Sequence, residues 1–158
     1  MEITSITTLA GEKRAIPEIL HATFIRAEPS DVYKALTTAG GLDAWFTHGA
    51  VVDARPGGRI LFRWENWGPG RVTAEDGGPV VEATPPYRFV FQWHPDSQEY
   101  LTTVEIDIRP TENGTIVCLH EHGFVDTFSG LAALANCAAG WGEALTLLKF
   151  YLEYGLHY

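Results

Sequence analysis

The stretch "YRFVFQWH" (residues 87–94) decides the fold. Tyr87, Phe89, Phe91 and Trp93 take every second position, with Arg88, Val90, Gln92 and His94 between them. A period of two belongs to an extended strand, whose successive side chains point to opposite faces. Four rings on one face need an apolar partner opposite, and Pro85-Pro86 just before them marks where the strand begins.

Working outward, short runs separated by Gly, Pro, Asp and Asn surround this strand: "AVVDARPGG", "RILFRWENW", "GPGRVTAEDGG", "PVVEATPP", "EYLTTVEIDIRP" and "TENGTIVCLHEHGF". Several alternate with period two, and "ENG" between two β-rich runs is a hairpin signal. Such close spacing implies an antiparallel meander of about six strands, because parallel strands require long crossovers. Upstream, "EILHATFIRA" (18–27) reads as a first strand. "EPSDVYKALT" then changes to a helical period, with Ser30 or Pro29 at its start and Asp31 in its first turn. Gly40-Gly41 is expected to break that helix before a short second one in "LDAWF". Residues 1–16 are weakly patterned and read as a loose arm.

The last thirty residues carry a different period. In "SGLAALANCAAGWGEALTLLKFYLEYG", Leu134, Ala138, Trp141, Leu145, Leu148 and Leu152 recur at steps of three and four, which makes one apolar stripe on a long helix. Gly155 suits its C-terminal cap. One antiparallel sheet and one apolar helix bury their faces against each other, giving an α+β chain in a single domain spanning 1–158. The rings of 87–93 then face inward, as do Ile60, Phe62 and Trp64, while Leu61, Arg63 and Glu65 face out. Val104, Ile106 and Ile108 also face in. In the last strand Val117, Leu119 and Glu121 are taken as inward against Cys118, His120 and His122.

Composition narrows the function classes. Eleven basic against twenty acidic residues give a net charge of −9, which argues against nucleic acid, whose affinity rests on Lys and Arg displacing counterions. An acidic membrane surface is disfavoured for the same reason. Cys118 and Cys137 read as small core hydrophobes rather than a disulfide framework. With no signal-like start and no uninterrupted apolar window of 18 residues, the reading is a soluble, cytoplasmic protein.

Four segments in order resemble one family. They are "VYKALTTAGGLDAWF", "GPVVEATPPYRFVFQW", "NGTIVCLHEHGF" and "GWGEALTLLKFYLEYG". Together, over residues 18–156, they resemble the activator-of-heat-shock-protein-90-ATPase homologue family of the START-like (SRPBCC, Bet v1-like) superfamily. The resemblance implies a helix-grip, a curved antiparallel sheet wrapped around the C-terminal helix with a hydrophobic tunnel between them. Relatives include lipid and hormone carriers, aromatic-polyketide cyclases and cochaperone domains, and no universal catalytic motif carries over.

The rings make either a filled core or the wall of a pocket. A sealed empty pocket is excluded by magnitude: roughly 300 Å³ at about 24 cal/mol per Å³ amounts to about 7 kcal/mol, comparable with a domain's whole stability. The bulk of the inward set, together with the resemblance, favours a pocket that binds a small hydrophobic or aromatic molecule. Its expected lining is Trp45, Phe46, Phe62, Trp64, Phe89, Phe91, Trp93, Trp141 and Leu145, with Glu121 as the polar point that orients the ligand. Glu121 could instead pair with Arg63 or Arg88, or lie exposed at a strand end. Facing an apolar interior, it could serve acid–base chemistry in a cyclase- or hydrolase-like enzyme. A protein-interaction module like the cochaperone relatives is the third reading, and a homodimer is compatible with it. Cys118, His120 and His122 share a strand face at a spacing able to ligate a metal, with His94 available from another strand. Solvated histidines are the simpler reading there, and no cofactor or metal is expected.

Overall fold

In a computed structural model describing residues 15–96 and 99–158, the chain runs β1 (Ile19–Ile25), α1 (Pro29–Thr37), α2 (Ala39–Trp45), β2 (Val51–Val52), β3 (Arg59–Trp67), β4 (Val72–Thr84), β5 (Arg88–Trp93), β6 (Thr102–Thr111), β7 (Gly114–His122) and α3 (Phe128–Tyr154). The arm expected over residues 1–16 lies almost wholly outside the described residues. The strands form one antiparallel sheet in the order β1-β7-β6-β5-β4-β3-β2. The helix-grip expected from the resemblance is the observed architecture.

Two boundaries differ from the sequence reading. Gly77-Gly78 does not separate two strands but lies inside the long β4. A Cβ on Gly77 would stand 2.0 Å from the Ile60 carbonyl oxygen, and one on Gly78 would stand 2.3 Å from that of Gln92. The glycines let neighbouring backbones approach, so there they continue the sheet. Likewise Gly40-Gly41 lies within α2. The break falls at Thr38, which is extended and whose Oγ1 accepts from Gly41 N at 3.0 Å as an N-cap. The short β2 brings the strand count among the described residues to seven.

The inward faces follow the alternation. Phe89 and Phe91 on β5, Val104, Ile106 and Ile108 on β6, and Val117, Leu119 and Glu121 on β7 are all buried. Tyr87 is the exception at 53% exposed; it precedes β5, in the turn where its N–H donates to the Thr84 carbonyl while its own carbonyl accepts from the Ile108 N–H. Arg88 on the outer face binds Glu82, Glu105 and Asp107, and Arg63 binds Glu75, so neither reaches Glu121.

Helix α3 is capped by Thr127 Oγ1, which accepts from Gly130 N, and by Gly155 in the left-handed region at φ 68°. It packs unevenly. Trp141, Ala144, Leu145 and Leu148 are buried against the sheet and the short helices, whereas Ala138 is exposed and Leu134 only half-buried. Glu153 near its end accepts from the backbone N–H of Arg26 at 3.2 Å, tying the helix to the end of β1. By length and composition alone α3 could cross a bilayer, yet its second half is held on the sheet.

Candidate functional site

A cleft of about 680 Å³ opens where the first half of α3 passes over the far end of the sheet. Four of the chain's five tryptophans line it: Trp64, Trp67, Trp93 and Trp141, with Phe46 among them. The rings form a closed circuit of contacts. Phe46 meets Trp64 at 5.6 Å between centroids, Trp64 meets Trp93 at 6.2 Å, Trp93 meets Trp141 at 5.2 Å, and Trp141 returns to Phe46 at 6.2 Å. Separations and tilts of this kind suit the aromatic quadrupole and fix each ring by its neighbours. Val72 and Ala74 close the cleft on the sheet side, and Asn136, Cys137 and Gly140 on the helix side.

Glu121 stands behind this wall and is fully buried. Its Oε1 accepts from Trp93 Nε1 at 2.8 Å and Thr102 Oγ1 at 2.6 Å, and its Oε2 accepts from Trp141 Nε1 at 2.7 Å. A buried carboxyl group without partners would be severely penalised; three donors replace much of its lost hydration. The same bonds join β5, β6, β7 and α3 at one point. Trp64 Nε1 is buried and has no hydrogen-bond partner.

The rim is polar and acidic. Pro95 and Asp96 follow β5, and this turn is held by His94, whose backbone N–H donates to Asp76 at 2.8 Å and whose Nδ1 lies 2.7 Å from the same carboxylate. His94 is thus engaged on β4 and does not join the β7 histidines. Cys137 Sγ donates to the Pro95 carbonyl at 3.6 Å. Burial pushes its thiol up to about 12, reinforced by the negative charges of Glu121, Asp96 and Asp76.

Of the residues expected to line a pocket, Phe46, Trp64, Trp93 and Trp141 line the cleft. Trp45, Phe62, Phe89, Phe91 and Leu145 lie in the packed core behind it, and Glu121 is enclosed by its three donors. Trp45 donates its indole N–H to the Ala35 carbonyl at 3.0 Å. These core residues fill the middle of the sheet, and the aromatic cleft opens toward one end, beside the exposed first half of α3. Trp67 escaped the sequence reading because continued alternation from Trp64 would put it outside. A bulge between Trp64 and Trp67, with Asn66 at φ 53°, shifts the register and brings it against Phe46 at 5.2 Å. Thr102 shares the parity of Val104 and Ile106 and was legible by that rule.

Residues 26–153 match the family model described as activator of Hsp90 ATPase homolog 1-like protein. Among solved structures, the Aha1 dimer from Colwellia psychrerythraea is 27% identical, covering 89% of this chain and 98% of that one, with a TM-score of 0.73. A Rhodobacter sphaeroides protein is 25% identical over 86% of this chain and 89% of that one, with a TM-score of 0.65. DynU16, a putative protein in the dynemicin biosynthetic locus, shares the fold at 17% identity and a TM-score of 0.74, covering 89% of this chain and 49% of that one. No curated protein matches the chain.

Proposed function

Since the chain belongs to the activator of Hsp90 ATPase homolog 1-like family, we propose that it binds a small hydrophobic or aromatic molecule in the cleft walled by Phe46, Trp64, Trp67, Trp93 and Trp141. The supporting observation is the concentration of four tryptophans on one open cleft. Phe46 and Trp141 are already buried, but Trp64, Trp67 and Trp93 are only partly so, and the apolar surface they still show to water would gain about 25 cal/mol per Å² by being covered. Glu121 acts here as the brace that fixes two walls, and no chemistry is placed on it. Titration with the fluorescent probe 1-anilinonaphthalene-8-sulfonate tests the reading. Saturable binding that is abolished by Gly140→Phe, which projects a ring from the helix side, supports it. Absent binding, or binding unaffected by Gly140→Phe, contradicts it.

A second reading rests on the first half of α3. Phe128 is 93% exposed, Ala132, Ala135, Ala138 and Ala139 are exposed, and the most apolar 18-residue stretch of the helix is only 28% buried. Unpaired apolar surface of this kind marks an interface, and the similar Colwellia protein is a dimer. We infer that two copies of this chain associate through this half of the helix. Sedimentation analysis should show a dimer that Phe128→Glu dissociates; a monomer at all concentrations refutes it. We also infer a cytoplasmic location from the free cysteines Cys118 and Cys137 and the acidic surface. Recovery of the full chain in the membrane or secreted fraction would count against that.

A further inference from the structure

On the outer face of the sheet, away from the cleft, register pairs Glu105 of β6 with His120 of β7, and His122 lies two residues further along the same face. Glu105 Oε2 is 2.9 Å from His122 Nε2 and 3.2 Å from His120 Nδ1. The three ligand atoms all lie within 4.8 Å of one another. Donors around a tetrahedral ion at bond lengths of about 2.0–2.1 Å stand about 3.3 Å apart, so these side chains need only small adjustments to enclose one.

Two further contacts fit a metal centre. His120 Nε2 lies 2.6 Å from Glu18 Oε2. A carboxylate there holds the N–H on Nε2 and leaves the Nδ1 lone pair toward Glu105, the arrangement that orients metal-binding imidazoles. Arg88 grips the other oxygen of Glu105, Oε1, which keeps Oε2 turned toward the histidines. The surroundings also favour a cation. Arg88 binds Glu82, Glu105 and Asp107, Glu18 reaches His120, and Arg109 lies beside Asp107 and His120, so four carboxylates stand against two guanidinium groups around the cluster when the imidazoles are neutral. The three ligand side chains are partly exposed, at 24% for Glu105, 33% for His120 and 34% for His122, so an ion can reach them from solvent.

We propose that Glu105, His120 and His122 form a surface site for a divalent transition-metal ion of the zinc class, with Glu18 and Arg88 orienting two of the ligands. Three protein ligands leave a fourth position for water or an exogenous anion. Cys118 lies on the same strand face but outside the ligand cluster; Glu105 from the neighbouring strand takes the place that the strand pattern gave to the thiol.

Isothermal titration of the full chain, free of any affinity tag, with zinc chloride tests this. The expected result is one ion per chain. His122→Ala should weaken binding at least tenfold, Glu18→Ala roughly 10–100-fold through loss of the orienting contact, and Cys118→Ser should leave it unchanged. Circular dichroism and melting of the metal-free variants verify that folding is preserved, and the half-exposed His122 makes that variant the decisive one. No zinc binding overturns the proposal. So does binding that survives His122→Ala, or binding that disappears with Cys118→Ser.

Discussion

The indoles of Trp93 and Trp141, one on the sheet and one on α3, lie 5.2 Å apart and turn both N–H groups onto the single carboxyl group of Glu121. The cleft therefore owes two of its walls to a residue that does not line it. Sheet and helix are joined at this point by hydrogen bonds as well as by apolar contact.

Glu121→Gln is expected to destabilise the protein by about 2–4 kcal/mol, because an amide N–H₂ would face an indole donor and leave it unsatisfied at about 1–3 kcal/mol per group. Glu121→Leu strips the acceptor from two indoles and a hydroxyl and should be at least as severe. Urea unfolding measures both; a loss below about 1 kcal/mol in each contradicts the bracing role.

Gly140→Ala and Gly41→Ala should move stability in opposite directions. A Cβ on Gly140 meets nothing within 4 Å on an exposed stretch of α3, so the better helix former should add about 1 kcal/mol. A Cβ on Gly41 would lie 2.3 Å from the Lys34 carbonyl oxygen and 2.8 Å from Ala35 Cα, and the backbone would have to move. Thermal melts of the two variants decide it, and a shift of equal sign in both would be inconsistent with this packing.

The Cys137 thiol gives a pH dependence of known sign. In the unfolded chain it ionises near its ordinary 9.0; in the fold, burial and nearby carboxylates hold it protonated to about 12. Its contribution is thus fully present below about pH 9 and is lost as the pH rises toward 12, because only the unfolded state gains by releasing the proton. Unfolding free energies measured at pH 7.5, 9.5 and 10.5 should fall more steeply for the native sequence than for Cys137→Ala. Parallel slopes would show that the thiol is not buried as described.

The sheet and the gripping helix were legible because two clean periods carry them: the alternation of Phe89, Phe91 and Trp93, and the Trp141, Leu145, Leu148 spacing on α3. Glu121's inward face followed from the parity of Val117 and Leu119. Its partners did not, since parity says nothing about which donors converge from three other elements. The cleft was less legible for the same reason. Alternation separates inside from outside, but Phe89 and Trp93 share one strand face while only Trp93 reaches the open end. Ala138 fits the apolar stripe yet is exposed, on the stretch of α3 whose Asn136, Cys137 and Gly140 line the open cleft.

Close approach also hides from a sequence read for punctuation. Gly77-Gly78 and Gly40-Gly41 look like breaks, whereas close approach to Ile60, Gln92 and Lys34 requires Gly77, Gly78 and Gly41 inside a strand and a helix, with Gly40 in open space beside them. The outer cluster shows a similar limit. His120 and His122 were visible as a pair, but Glu105 joins them only through the β6–β7 register.

The most direct test of the cleft is the set of five indole N–H resonances, followed by ¹H–¹⁵N correlation spectra as 1-anilinonaphthalene-8-sulfonate is added. Trp64, Trp67, Trp93 and Trp141 should shift along saturable curves with one common affinity, while Trp45, bonded to Ala35 in the core, stays in place. If all five remain still, or if Trp45 moves and the other four do not, this cleft is not the binding site.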